Sequence, residues 1–154
     1  MKTEKATFAA GCFWHIEEIF EKTPGVISTR VGYTGGKMKN PTYANVCSGA
    51  TGHFESVEVA FNPNKISYEK LLDVFWNIHN PTTKDRQGFD VGSQYNSAIF
   101  YHDEKQRRVA LKSKAERQKN MERKIVTQIK KAPKFWEAEK YHQKYMEKHT
   151  RGFF

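Results

Sequence analysis

Apolar residues recur along the chain in two periods, and the switches between them mark out the elements. Thr7 to Ala10 is a short run of the kind buried strands show, and Gly11 turns the chain out of it. Over 12–22 the period is helical: Phe13, Ile16 and Phe20 share one face, with Glu17, Glu18 and Glu21 largely on the other. Pro24-Gly25 stops that helix. Val26 to Tyr33 is β-branched and alternating, hence a strand. Residues 34–52 contain Gly35-Gly36, Asn40-Pro41, Gly49 and Gly52 and read as a long loop, and long ordered loops tend to carry function. Phe54 to Phe61 alternates again. Ser67 is placed to cap a helix whose apolar positions are Tyr68, Leu71, Leu72, Phe75 and Ile78. After a second irregular stretch, Asn80 to Tyr95, come a strand over Ser97–Tyr101, a charged helix over Glu104–Arg123 and a short strand over Ile125–Ile129. The tail, 132–154, holds one more aromatic-rich helical stretch. This order predicts an α+β fold: a two-layer sandwich with a ferredoxin-like β-α-β-β-α-β core and a C-terminal helical extension. No repeat or linker divides residues 1–154, so a single domain is expected.

Composition narrows the classes. Apolar residues are only 38% of the chain, but aromatics are 14%, enough large rings to fill a core and to argue against disorder. The formal charge of +9 sits entirely in residues 103–154, which hold 16 basic and 7 acidic side chains against 10 and 10 in residues 1–102. The basic stretch 105–131 raises the alternative of a nucleic-acid-binding module. It lacks interleaved aromatics and any helix-turn-helix or zinc pattern, so a solvated helix face accounts for it better. No run of 18 apolar residues is present to span a membrane. The apolar stretch before Cys12 is too short for a signal peptide. Two cysteines are too few for a disulfide scaffold and show no metal spacing, which makes the cytoplasm the expected location.

Candidate chemistry begins at Cys12. A Gly-Cys step between a strand and a helix sets the sulfur at a helix N-terminus, where free N–H groups favour thiolate and the pKa is expected to fall. The bland alternative, a small buried hydrophobe, carries equal weight on position alone. Trp14 lies about 100° off the apolar stripe, so it is either a substrate wall beside a nucleophile or, more often for one Trp, core. In the strand 54–61, Glu55 shares a face with Val57, Val59 and Phe61. A carboxyl ending an apolar row has its pKa raised if it is buried, and becomes a proton donor near neutral pH. If the strand end is wet, it is an ordinary solvated acid. Tyr43, Asp90 and Tyr95 lie in the two irregular stretches, where tyrosine hydroxyls could hold a polar oxygen. Cys47 is either a second redox thiol or loop packing. His53, His79, His102, His142 and His149 read as structural or surface groups, and His15 as exposed.

Taken together, the motifs resemble one family. Gly11-Cys12-Phe13-Trp14 with Glu17 is similar to the opening signature of the type A peptide methionine sulfoxide reductases. Pro41-Thr42-Tyr43, Val46-Cys47-Ser48-Gly49 and Thr51-Gly52-His53-x-Glu55 resemble its central block. Asp90-x-Gly92-x-Gln94-Tyr95-x-Ser97-Ala98-Ile99 resembles the third, and Ala138-Glu139-x-x-His142-Gln143-x-Tyr145 the last. The resemblance implies Cys12 as nucleophile, Phe13 and Trp14 as the pocket for the substrate methyl group, and Glu55 as the acid near the sulfoxide oxygen. Tyr43, Asp90 and Tyr95 match the family's remaining site positions. It further implies reduction of methionine S-sulfoxide, free or in oxidised peptides and proteins, through a cysteine sulfenic acid, by a monomer with no metal or organic cofactor. Two departures bear on recycling. No cysteine follows Cys47, where many family members carry resolving cysteines, and His15 stands where others have one. Either Cys47 is the resolving thiol or an external thiol (thioredoxin, glutaredoxin or a small thiol) resolves Cys12, and the second is expected.

Overall fold

The structure, a computed structural model, describes residues 2–150. Its elements are β1 (Glu4–Ala10), α1 (Phe13–Glu21), β2 (Val26–Thr34), α2 (Tyr43–Cys47), β3 (Phe54–Phe61), α3 (Tyr68–Asn77), β4 (Arg86–Gln87), β5 (Asp90–Val91), β6 (Ser97–Tyr101), α4 (Glu104–Gln118), β7 (Gln128–Lys131), β8 (Trp136–Glu137) and α5 (Tyr145–Thr150). Six strands form one mixed sheet in the order β7-β6-β1-β3-β2-β8. Its middle four are antiparallel neighbours in the ferredoxin-like arrangement, and β7 joins β6 in parallel. The α+β architecture read from the sequence is the one observed.

One face of the sheet carries the main core. Ala6, Phe8 and Ala10 of β1 project toward Phe13, Ile16 and Phe20 of α1 and toward Leu71, Leu72 and Phe75 of α3. Phe8 stacks between Phe20 and Phe75, with ring centroids 5.1 and 5.3 Å away, so aromatics supply the volume that the low aliphatic content does not. The opposite face holds a smaller cluster of Ala9, Phe54, Ala98 and Phe100. Ser67 caps α3 by accepting from the Lys70 amide, as its position predicts.

Several boundaries differ from the periodicity. The stretch 34–52 is not all loop, because Thr42 and Asn45 form a capping box that starts the short helix α2. The charged helix ends at Gln118, not Arg123: the Gln118 side chain folds back to accept from the Ile125 amide and donate to the Arg123 carbonyl. The following strand is displaced to Gln128–Lys131, since Val126 donates instead to the Pro81 carbonyl and Thr127 bonds Ser97. Two of the cations in the basic stretch are used internally, Lys114 on the Thr127 carbonyl and Arg117 on Asn77. The C-terminal extension is only partly helical. It adds β8 to the sheet edge beside β2, makes one 3-10 turn at Lys140–His142 and ends in α5. Residues 151–154 of the expected tail helix lie outside the described residues.

Candidate active site

Cys12 follows β1 directly and caps α1. The turn between them needs Gly11, whose φ of +101° suits few side chains and whose Cβ would sit 2.8 Å from Gln87 Cγ. The backbone N–H groups of Trp14 and His15 favour negative charge at the sulfur, the effect expected of a helix start. They do not win. Burial pushes the Cys12 thiol up to about 11, and the nearby carboxylates of Glu55 and Asp90 add to the rise. The expected fall in pKa is therefore reversed, because desolvation of a half-buried sulfur outweighs two amides.

Glu55 arrives at this junction by register. It pairs with Tyr33 across β2–β3, and the β1–β3 register that sets Phe8 opposite Val57 carries its end to the Cys12 turn. The side chain is 1% exposed. One carboxyl oxygen accepts from the Phe13 amide at 3.3 Å, and the other is sealed with no partner. Burial raises its pKa to about 8, the Phe13 N–H lowers it and Asp90 raises it further. Of the two readings left open for this residue, the buried acid is the one observed.

The other expected residues gather around this pair. Burial raises the Tyr95 hydroxyl, and the charges at Glu55, Asp90, Cys47 and Cys12 add to the rise. Tyr43, half-buried on α2, is raised by burial first and then by the Cys47 thiol one turn on. Cys47 itself is exposed. Asp90 lies at the exposed β4–β5 hairpin, with its carboxylate felt at Cys12 and Glu55. Phe13 and Trp14 separate: Phe13 is 1% exposed and belongs to the core, while Trp14 stays partly open. Of the two residues expected to wall the substrate methyl group, Trp14 is the one with partly open surface. Among the described residues, no group of three or more His, Cys, Asp or Glu is arranged to hold a metal ion, and no helix is long and apolar enough to cross a membrane.

Three residues of the site were not singled out by the periodicity. Glu139 accepts from the Tyr33 hydroxyl at 2.9 Å and from the Tyr43 amide at 3.0 Å. Burial alone would raise its pKa, but these hydrogen bonds hold it below the ordinary carboxylate value. His142, read as structural or surface, is fully buried against Trp14, Phe13 and Tyr43 and accepts the indole N–H of Trp14 at 2.9 Å. Tyr145 stacks on the Trp14 ring at 3.8 Å. Glu17, assigned by period to the polar side of α1, is also buried; it accepts from Thr29 and from the Lys144 amide. In each case the cause is the C-terminal segment, which covers one edge of α1 and of the site. The only local signal for it was the cluster Ala138-Glu139-x-x-His142-Gln143-x-Tyr145.

Known proteins share this sequence pattern and fold. The family model described as peptide methionine sulfoxide reductase matches residues 4–154. The peptide methionine sulfoxide reductase MsrA of Methanothermobacter thermautotrophicus is 57% identical over 150 residues, covering 96% of this chain and 89% of that protein. The crystal structure of Mxr1 from Saccharomyces cerevisiae in reduced form superposes with a TM-score of 0.93 at 35% identity, over 99% of this chain and 89% of that one. Mxr1 in complex with Trx2 matches with a TM-score of 0.68 at 27% identity, over 94% and 85%. A family match over nearly the whole sequence, joined to a buried acid beside a helix-capping cysteine, leaves one conclusion: this chain belongs to the type A peptide methionine sulfoxide reductases and reduces methionine sulfoxide to methionine.

Proposed function

We propose that Cys12 is the nucleophile and Glu55 the proton donor of this reduction, with Tyr43 and Tyr95 holding the sulfoxide oxygen. The observation that carries the assignment is the sealed, unpartnered carboxyl oxygen of Glu55, on an acid that stays protonated up to about pH 8 beside the sulfur. Both groups start neutral, and this balances the protons. The Cys12 sulfur attacks the sulfoxide sulfur while Glu55 gives its proton to the oxygen. The carboxylate so formed takes the proton that the thiol sheds. The hydroxyl group then passes from the substrate sulfur to the Cys12 sulfur as the S–S bond just formed breaks and leaves its electron pair on the methionine sulfur; methionine leaves and Cys12 is left as sulfenic acid, so substrate sulfur is reduced by two electrons and Cys12 oxidised by two. Coupling thiol loss to carboxylate gain removes the need for a standing thiolate, which a pKa of about 11 makes scarce. Asp90 tunes the pair through its field, and Trp14 supplies an apolar face for the substrate methyl group. By the same reading the S epimer is the one reduced.

An external thiol of the thioredoxin class returns Cys12 to the thiol. It attacks the sulfenic sulfur, water leaves, and a second thiol resolves the mixed disulfide. The solved complex of Mxr1 with Trx2 supports this class of reductant. Cys47 is exposed, and its thiol bears on the Tyr43 hydroxyl, which fits a role beside that tyrosine. An internal 12–47 disulfide would require α-carbons within about 7 Å.

Mass spectrometry after one equivalent of sulfoxide tests the scheme. One added oxygen at Cys12 and one remaining titratable thiol are expected. An unmodified Cys12 refutes the nucleophile, and a 12–47 linked peptide with no free thiol makes Cys47 the resolving residue. Cys47→Ser, which keeps a hydrogen-bonding atom for Tyr43, should hold steady-state activity within about twofold of the native rate, a difference of under ~0.5 kcal/mol in the barrier. Trp14→Ala should raise KM for a peptide sulfoxide by roughly tenfold, the scale of a lost apolar contact of 1–3 kcal/mol. Unchanged KM and kcat would make Trp14 ordinary packing.

A further inference from the structure

We infer that the tip of the β4–β5 hairpin, Phe89 with Val91, is a docking surface for the substrate polypeptide, taking an apolar side chain that flanks the oxidised methionine. The surface depends on the reaction being at Cys12, as proposed above, and it narrows the substrate class to sulfoxides set among apolar residues. Phe89 is 104% exposed and Val91 69%, the two highest values among the exposed large hydrophobic side chains of the described residues. The fold does not ask for a ring at the tip. Gly88 takes the first central position of the two-residue turn with φ +60°, as a II′ hairpin requires, and the second position admits a polar residue as readily as Phe89. With its whole side chain in solvent, Phe89 adds nothing to the core. Single exposed apolar residues are ordinary on a protein surface; this pair differs in where it is held and how firmly.

The hairpin is pinned against the start of the cysteine helix. The Gln87 carboxamide accepts from the Asn80 amide at 2.7 Å and donates to the Asn80 carbonyl at 2.8 Å. Asn96 clasps Asp85 in the same way, accepting from its amide and donating to its carboxylate. The Gln87 side chain lies over Gly11, the residue before Cys12, so closely that it leaves no room for a Cβ there. Gln87 and Asp90 are register partners and share a face of the hairpin, while Arg86 and Val91 share the opposite one. Asp90 therefore stands on the face turned to Gly11, and Val91 on the face turned to solvent. Phe89 is two residues on from Gln87, at most about 7 Å of chain. An extended polypeptide advances about 3.3 Å per residue, so one with its sulfoxide at Cys12 carries its next few side chains past this tip. Its chemistry follows from where methionine sits in proteins. Methionine is among the residues most often buried, and the residues two to four positions away belong to the same core-facing pattern. Oxidation makes the side chain polar and disrupts that core, which exposes the flanking apolar side chains together with the sulfoxide.

Comparing substrates within each protein tests this, using the full-length chain with dithiothreitol as reductant so that no protein partner enters. kcat/KM is measured for free methionine sulfoxide and for two short peptides, one with the sulfoxide flanked by leucines and one by serines. The native protein should favour the leucine peptide about tenfold, the lower end of what one apolar contact contributes. Phe89→Ser should cut that ratio to about twofold, mainly through KM. Val91→Ser should lower it less, and Phe89→Leu should keep most of it. All three variants should reduce free methionine sulfoxide at the native rate, and the thermal midpoint of Phe89→Ser should match the native value, since a fully solvated side chain supports no packing. A native protein indifferent to the flanking residues, or a preference that survives in Phe89→Ser, overturns the inference. An equal loss by Phe89→Ser on all three substrates overturns it as well. A Phe89→Ser defect seen only when thioredoxin replaces dithiothreitol makes the tip a reductant contact and also overturns it. Turnover by Cys12→Ser would instead refute the nucleophile, and the docking surface with it.

Discussion

Cys12→Ser is expected to reduce sulfoxide turnover to background while the protein stays folded. A serine hydroxyl has no accessible anion near neutral pH, and even a cysteine at this position is held protonated, with its thiol at about 11. In the proposed mechanism the native site overcomes that because sulfur is intrinsically nucleophilic and Glu55 accepts the proton it releases; an alcohol satisfies the second condition and fails the first. The exchange is nearly isosteric at a half-buried helix cap, and serine is a good capping residue, so thermal stability should not fall. The measurement is methionine released from a peptide sulfoxide with excess dithiol, alongside a thermal melt. Turnover above a trace by a folded Ser variant would remove Cys12 from the mechanism.

Glu55→Gln should slow the single-turnover rate by roughly 10²- to 10⁴-fold, the usual contribution of a positioned general acid. The pH dependence carries the sign. Glu55 donates only while protonated, so the native rate should be level below pH 8 and decline above it as the carboxyl ionises. The residual Gln rate should show no such decline. Glu55→Asp should fall between the two, since the acid survives one methylene further back.

Stability should move the other way. Burial raises this carboxyl from 4.5 to about 8, so the folded state favours its neutral form. The contribution of that group is fully present below pH 4.5 and is lost progressively as pH rises to about 8. Glutamine does not ionise, so the variant should gain on the native protein between pH 5 and pH 8. The gain should reach on the order of a few kcal/mol at the upper end, because each tenfold difference in proton affinity between the folded and unfolded chain is worth about 1.4 kcal/mol. A variant slower yet more stable is what a functional buried acid predicts. Equal single-turnover rates for native and Gln proteins would take Glu55 out of the chemistry.

Other elements of this site had quite different signals in the chain. Glu55 was visible because strand alternation assigns every second residue to one face, and a carboxyl in a row with Val57, Val59 and Phe61 breaks the pattern. Cys12 was visible because glycine between a strand and a helix marks a turn. The state of its sulfur was not, since helix position predicts a lowered pKa and takes no account of the burial and the two carboxylates that raise it. Short α2 was hidden among glycines, because its start depends on one reciprocal pair, Thr42 and Asn45.

By itself, then, the sequence determined the period of each long element and the α+β order, because those depend on contacts within a few residues or on a strict two- or 3.6-residue repeat, and it brought out Cys12 and Glu55 as the candidate nucleophile and acid. Tertiary structure alone decided the edges and the electrostatics. It ended the charged helix at Gln118 through a side chain folding back on Ile125, and it buried Glu17 under the Lys144 amide. It also closed the site with Glu139, His142 and Tyr145 from about a hundred residues or more away along the chain. Burial is a property of what covers a residue. For this site the cover comes from the other end of the chain, beyond the reach of any local pattern.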